Sequence, residues 1–253
     1  MKLAEVPVAI LAGGRATRLG PLAANLPKAL VPVAGRPFLD HQLALLRRRG
    51  LRREVLCLGH LGQQVVEYVG DGSRFGLQVG YSFDGERPLG TGGALRRAAP
   101  VLGPLCWVLY GDSYLDFDYG AALKHFLGRR EPAMMTVFLN RGRWDRSNVI
   151  YSDGRVLCYD KRRPSRDMSY IDYGAGLLRA AAVERVPLGG PYDLADLYRQ
   201  LASERLLAGY QVNQRFYEIG SIQGLQEAER HLGAVDSRPP SAPGSVSTRG
   251  RHA

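Results

Sequence analysis

The stretch Val8-Ala9-Ile10-Leu11-Ala12-Gly13-Gly14-Arg15-Ala16-Thr17-Arg18-Leu19-Gly20, running on through Pro27-Lys28 to Gly35-Arg36-Pro37, decides how the rest of the chain is read. Its opening apolar residues, closed by glycine, read as a buried strand. Gly13-Gly14 lets the backbone turn sharply at the strand end and brings its N–H groups close to whatever lies there. Arg15, Thr17 and Arg18 follow at once, and Lys28 comes after a proline that ends any short helix before it. A glycine turn, two arginines and a separate lysine suit a group with several phosphate oxygens to neutralise. Gly-Gly after a strand is also an ordinary turn. The stretch is neither the G-x-G-x-x-G dinucleotide fingerprint nor the G-x-x-x-x-G-K-[ST] P-loop.

Composition sets the outer limits. A chain of 253 residues suits one large α/β domain or two small ones. Hydrophobic residues make up 45% and charged residues 23%, ordinary for a soluble globular protein. No apolar run approaches the length that crosses a bilayer, and Met1 to Glu5 leads straight into the first strand without a signal-peptide pattern. The expectation is a cytoplasmic protein with no membrane partner. Cys57, Cys106 and Cys158 lie in apolar, strand-like runs without metal-ligand spacing, and their odd number argues against a disulfide framework. The net charge of +10 would suit nucleic acid, but the arginines are scattered in short clusters such as Arg47-Arg48-Arg49 and Arg129-Arg130. Solvated helix faces account for these, and small anionic substrates are served by the same sign of charge. No nucleic-acid partner is expected.

Outward from the opening stretch, Phe38 to Arg49 carries a helical apolar stripe with basic residues at its end and Gly50 as its stop. Val55–Leu58 reads as a second buried strand, Gln63–Val69 as a helix, Leu77–Tyr81 as a third strand, Thr91–Ala98 as a helix and Leu105–Tyr110 as a fourth strand. This alternation predicts a mixed, mostly parallel sheet with helices on both faces, whose ligands bind beyond the carboxyl ends of the strands. The Gly13-Gly14 loop, the Gly90 loop and Asp112 all fall there. The pattern then changes. Met134–Leu139 is apolar, Val149–Tyr151 and Val156–Tyr159 flank an Asp153-Gly154 hairpin turn, and Tyr170–Leu178 is strand-like. A helix at Leu194–Leu201, a strand at Gly209–Val212 and a helix at Gln223–Leu232 follow. Residues from about 236 to 253, rich in Pro, Ser, Gly and Arg, predict a disordered tail.

An acid at the end of a strand, as in Tyr110-Gly111-Asp112-Ser113, can hold a hard cation such as Mg2+, although a lone aspartate there equally reads as a turn or cap. One carboxylate rarely holds Mg2+ alone, and Glu218, in Phe216-Tyr217-Glu218-Ile219-Gly220-Ser221, is the candidate partner. No Ser-His-Asp or Cys-His set can be assembled from the five histidines. His41, His60 and His125, in or beside regular elements, read as structural.

Taken whole, Leu11 to Pro37 closely resembles the signature of the sugar-phosphate nucleotidylyltransferases, the NDP-sugar pyrophosphorylases. That signature runs L-A-G-G-x-G-T-R-L-x-P-L-T-x-x-x-P-K-x-L-x-P-V-x-G-x-P. Ala16 stands where the family has a third glycine and Ala23 where it has Thr or Ser. The resemblance extends from Val8 to about Leu232 and is nearest to the short enzymes acting on mannose, heptose or N-acetylmuramate 1-phosphates. It implies a Rossmann-like nucleotidyltransferase domain over residues 1–235. A nucleotide half would run to about residue 130, and a smaller, β-rich, sugar-binding lid from 131 to 235. It implies that Leu11, Ala12, Gly13, Gly14, Arg15 and Thr17 hold the nucleotide, and that Arg18, Lys28 and Asp112 carry catalysis. Leu89-Gly90-Thr91-Gly92-Gly93-Ala94-Leu95 resembles the family's second glycine loop under the base, which adds Glu86, Gly90 and Thr91. Asp112 and Glu218 match the family's metal ligands, with Glu in place of the usual Asp. Asp160-Lys161 resembles its Glu-Lys pair at the sugar and sugar phosphate. Tyr170-Ile171-Asp172-Tyr173-Gly174 stands where I-N-A-G borders the sugar, so Asp172, Gly174 and Asn148, with Tyr173, are sugar-side candidates.

The expected reaction is transfer of a nucleoside monophosphate from an NTP to a sugar 1-phosphate with Mg2+ as cofactor. GTP with a heptose or mannose 1-phosphate leads, and UTP or dTTP comes next. A sugar 1-phosphate, with a second pKa of about 6, is already an anionic nucleophile and needs no general base. Two alternatives stand. One is a metal-dependent glycosyltransferase using Asp116-Phe117-Asp118 as a D-x-D metal motif, and the other is a non-catalytic nucleotide-sugar sensor. A homo-oligomer is compatible with the sequence, which does not fix the assembly.

Overall fold

The structure, a computed structural model, describes residues 1–14, 18–20 and 25–236. Arg15, Ala16, Thr17, Ala23 and the expected tail from 237 to 253 lie outside the described residues. The first half is a parallel βαβ succession. Strand β1 (Val8–Leu11) leads through a 3-10 turn at Lys28–Leu30 and the small hairpin of β2 (Pro32–Val33) and β3 (Arg36–Pro37) to helix α1 (Phe38–Arg48). Then come β4 (Arg53–Leu58), α2 (Gly62–Val69), β5 (Gln78–Phe83), α3 (Gly90–Leu102) and β6 (Leu105–Tyr110). α1 places Asp40 in its first turn and Arg47 and Arg48 in its last, each charge opposing the helix dipole.

The second half runs β7 (Ser113–Tyr114), α4 (Tyr119–Leu127), β8 (Ala133–Leu139), β9 (Val149–Ser152), β10 (Arg155–Tyr159) and β11 (Tyr170–Arg179). It closes with α5 (Ala180–Val183), α6 (Leu194–Ser203), β12 (Leu207–Val212), β13 (Tyr217–Glu218) and α7 (Ile222–Asp236). α4 has no counterpart in the elements expected from sequence. It is opened by Asp118, whose side chain accepts the N–H of Ala121 at 2.9 Å. That use, together with the pairing of Asp116 with Arg49 at 2.5 Å, removes Asp116-Phe117-Asp118 as a D-x-D metal motif.

One nine-stranded sheet takes the order β5-β4-β1-β6-β11-β8-β12-β10-β9. β5, β4, β1 and β6 are parallel. Beyond β6 the pairing turns antiparallel, with β8 and β12 the parallel exception, so the expected predominance of parallel strands holds only for the first half. The second half therefore continues the same sheet. β9 pairs with both β10 and β11, so the hairpin curls back toward the centre. Two cores cover the faces. α1, α2 and α4 bury Leu39, Leu43, Val65 and Phe126 on one, and α3 and α6 bury Leu95, Leu102, Leu197 and Leu201 on the other. A third cluster joins Phe38, Tyr114, Ile219 and Leu232, packing α7 against β7 and β13. Among the described residues no helix is long and apolar enough to cross a membrane, and the three cysteines are free.

Candidate active site

The carboxyl ends of the four parallel strands open into a cavity of about 590 Å3. Leu11, Ala12, Gly13 and Gly14 leave β1 into its wall, Gly59 and His60 leave β4, Asp84 and Glu86 leave β5, and Tyr110, Gly111 and Asp112 leave β6. This is where ligands of open α/β sheets bind. β1 and β6 stay close past their ends, with the Gly111 N–H donating to the Leu11 carbonyl at 3.0 Å. A Cβ on Gly111 would meet the Ala12 Cβ at 2.9 Å, so only glycine fits between the two loops. His60 corrects the structural reading given above, since it is exposed and lines the cavity. His41 is buried with its Nε2 2.8 Å from the Val33 carbonyl, and His125 packs against Tyr210.

Lys28, Asp112 and Glu218 converge although they come from distant segments. The Lys28 Nζ donates to Asp112 Oδ2 at 2.5 Å. Glu218 reaches them because β13 pairs antiparallel with β7, setting Glu218 opposite Ser113, while the Ile219 N–H donates to the Asp112 carbonyl at 2.9 Å. A Cβ on Gly220 would stand 3.5 Å from Lys28 Nζ, 3.6 Å from Glu218 Oε1 and 3.7 Å from Asp112 Oδ2, so the three groups surround one point kept open by that glycine. Burial raises the Glu218 carboxyl above its ordinary range, and Asp112 and Asp145 add to the rise against the opposing charges of Lys28 and Arg18. Arg18 itself is exposed.

Among the described residues no group of three or more His, Cys, Asp or Glu is placed to hold a metal by itself. Two carboxylates that face one point and repel each other there suit a hard divalent cation whose remaining ligands are phosphate oxygens and water. The residues present fit the expected ion in that sense.

The second glycine loop divides its roles. Gly90 and Thr91 line the cavity, as does Glu86. The N–H groups of Gly92 and Gly93 instead donate to the Tyr192 carbonyl at 2.8 and 3.1 Å. The Thr91 hydroxyl accepts the Leu194 N–H at 2.8 Å and donates to Asp193 at 2.9 Å, so it also fastens the start of α6. Much of this loop's glycine content thus serves a close approach between α3 and the chain entering α6.

The sugar-side candidates gather around Asp172. A register shift in β11 between Asp172 and Gly176 bends the strand at this point. Asp172 Oδ1 accepts the Gly174 N–H at 3.0 Å, Oδ2 accepts the Tyr159 hydroxyl at 3.2 Å, and Lys161 Nζ lies 3.9 Å from Oδ2. Asn148 is buried, and its Oδ1 accepts the Asp172 backbone N–H at 3.0 Å. Asp160 turns to its own loop, its Oδ1 accepting the N–H groups of Arg162 and Arg163 at 2.7 and 2.9 Å. Tyr173 is buried in the core. Sequence reasoning passed over Tyr110 and Asp84, both in the cavity wall. Their only signal was a position at a strand end, one of them immediately before Gly111-Asp112.

Residues 8–147, more than half of the chain, match the nucleotidyl transferase family, and the protein belongs to that family. Its relatives include a UTP–glucose-1-phosphate uridylyltransferase of Synechocystis sp., 28% identical over 87% of this chain and 62% of that protein. An N-acetylmuramate alpha-1-phosphate uridylyltransferase of Neisseria meningitidis serogroup B is 27% identical over 89% of this chain and 97% of that protein. The chain thus spans less than two thirds of the first relative and nearly all of the second. Thymidylyl- and guanylyltransferases also align. The crystal structure of HddC from Yersinia pseudotuberculosis superposes with a TM-score of 0.74 at 23% identity, covering 89% of this chain and 99% of that one, a likeness of fold.

Proposed function

We propose that the protein transfers a nucleoside monophosphate from a nucleoside triphosphate to a sugar 1-phosphate, giving a nucleoside diphosphate sugar and pyrophosphate. The observation that carries this reading is the convergence of Lys28, Asp112 and Glu218 beside the cavity at the strand ends. The names of the relatives support the substrate class. A phosphate oxygen of the sugar 1-phosphate attacks the α-phosphorus of the triphosphate, forming a new P–O bond. The bond from the α-phosphorus to the bridging oxygen breaks, and pyrophosphate leaves with that electron pair. The attacking oxygen is already ionised, so the protein's task is alignment and charge neutralisation.

In this reading the Gly13-Gly14 turn, with Arg15 and Thr17, receives the triphosphate, and Arg18 offsets the charge that grows on pyrophosphate. Lys28 holds a phosphate in line, and Lys161 holds the sugar phosphate. Leu11, Ala12, Glu86, Gly90 and Thr91 border the nucleotide, while Asp172, Gly174, Asn148 and Asp160 shape the sugar end of the second half. Asp112 and Glu218 are the residues that would hold Mg2+, which supplies charge neutralisation to the reacting phosphates. For base and sugar we take GTP with a mannose or heptose 1-phosphate as the first pair to test, with UTP and dTTP next.

The test is pyrophosphate release with Mg2+ over a grid of nucleoside triphosphates against sugar 1-phosphates. A signal that requires both substrates is expected and names the pair. A folded protein silent across the grid overturns the reading in favour of a nucleotide-sugar sensor, which binding of nucleotide sugars then checks.

A further inference from the structure

We propose that Tyr110 is a positioning residue for Lys161, and that its ring face rather than its hydroxyl does the positioning. The inference rests on the reading of Lys161 as the ligand of the sugar phosphate. Lys161 Nζ stands 5.0 Å from the centroid of the Tyr110 ring, within the range of a cation–π contact. Its only carboxylate partner among the described residues is Asp172, at 3.9 Å, too long for a hydrogen bond. Asp172 is itself occupied by the Tyr159 hydroxyl and the Gly174 N–H. The lysine side chain is 44% exposed, so without the ring it would have one distant anchor and open solvent.

Gly174 packs beside the ring, and its backbone conformation rather than any lack of space calls for glycine. A Cβ there would lie 3.6 Å from Tyr110 Cδ2, and its φ of +99° disfavours any other residue. The Tyr110 hydroxyl is buried and has no hydrogen-bond partner among the described residues, so it makes no polar contact there that would explain a tyrosine. Tyr110 also lines the cavity and comes two residues before Asp112, the partner of Lys28. One strand end therefore holds both lysines, one through a carboxylate and the other through a ring.

The test compares the KM for the sugar 1-phosphate and for the nucleoside triphosphate in Tyr110→Leu, Tyr110→Phe and Lys161→Met. The sugar phosphate is whichever of mannose, glucose and N-acetylmuramate 1-phosphates turns over fastest. Tyr110→Leu should raise its KM roughly fivefold, the size of one cation–π contact, with the triphosphate KM little changed. Tyr110→Phe should restore the wild-type KM, and Tyr110→Leu placed on Lys161→Met should add nothing. Tyr110→Met replaces the leucine variant if that one does not fold. An unchanged sugar-phosphate KM in Tyr110→Leu, or a further rise on the Lys161→Met background, overturns the proposal. A wild-type KM in Lys161→Met overturns instead the reading of Lys161 on which it rests.

Discussion

Lys28 and Lys161 occupy opposite halves of the sheet and are held in different ways. Lys28 follows the first strand, is 18% exposed, and donates to Asp112 at 2.5 Å. Lys161 follows the β9–β10 hairpin, is 44% exposed, and lies 3.9 Å from its carboxylate. A charge fixed by a short bond in a partly buried site loses little to reorganisation when a phosphate arrives, whereas an exposed one gives up mobility and hydration. The parallel half holds its lysine as a fixed charge and the antiparallel half holds its lysine by looser contacts. In the proposed reaction that division would suit the triphosphate group common to all nucleoside triphosphates and a sugar that varies.

The sharpest way to break that comparison is to remove the fixed charge. Lys28→Ala or Asp112→Ala should lower kcat by about 10^2 to 10^3, the usual loss when a preorganised electrostatic group is taken away. The melting temperature should stay near that of the wild type, because neither side chain is part of the apolar core. Near-normal turnover in either variant would mean that the convergence at Gly220 is not the reacting centre.

Glu218 tests the same point from the other side. Glu218→Gln should raise the Mg2+ concentration for half-maximal activity by roughly tenfold or more. Burial and Asp112 hold the Glu218 carboxyl above its ordinary range, so a cation must displace a proton there at the lower end of the pH range. The Mg2+ requirement of the wild type should thus fall as the pH rises through the raised titration, and Glu218→Gln should flatten that slope. A Mg2+ titration equal in the two proteins at every pH would remove Glu218 from the metal site.

The two halves also differ in how far they could be read from sequence. In the first, strand, turn and charged residues lie in one continuous run, and each element follows from local apolar periodicity. The site residues there needed no long-range information, except that Lys28 meets Asp112 across the fold. In the second half, function depends on pairings between distant segments. Glu218 reaches Asp112 only through the two-residue strands β7 and β13, too short to leave a periodic pattern. Asp172 and Lys161 meet because β9 pairs with both β10 and β11. α4 went unseen because glycine stands second in its sequence, Tyr119-Gly120-Ala121-Ala122-Leu123, and its cap, Asp118, also ends the D-x-D form of the glycosyltransferase alternative. The residues 15–17 and 21–24, the centre of the resemblance, lie outside the described residues, so that part rests on sequence.

Glu54 gives a control within the parallel half. It sits near the start of β4, at the end away from the cavity, is 1% exposed, and neither carboxylate oxygen has a hydrogen-bond partner among the described residues. Burial raises its carboxyl from 4.5 to about 8, against a smaller opposing effect of Arg52. The folded protein therefore binds this proton more tightly than the unfolded chain, and stability falls as the pH rises from about 4.5 to about 8, the loss persisting above. Glu54→Gln should remove that slope and stabilise the protein above pH 8 by on the order of a few kcal/mol, with kcat unchanged. Melting curves across pH check it, and parallel curves for the two proteins would show that Glu54 does not stay protonated in the fold.

The smallest expected effect separates two acids on the sugar side. Asp160 spends its carboxylate on the N–H groups of Arg162 and Arg163, which hold its titration below the ordinary range, and it is partly exposed to solvent. Asp172 is 4% exposed and faces Lys161. Removing a solvated turn residue changes little, whereas neutralising a buried counter-ion leaves the lysine without its charge partner. Asp172→Asn should therefore raise the KM for the sugar 1-phosphate roughly fivefold to tenfold, and Asp160→Ala about twofold at most. The reverse order would place the sugar at the Asp160 loop, one of the two sugar-side sites the family resemblance implies, and would reassign Asp172 to the support of β11. A large and equal effect of both would mean that the loop after β10 and the bend in β11 grip the same sugar together, and that the antiparallel half is less adaptable than its exposed lysine suggests.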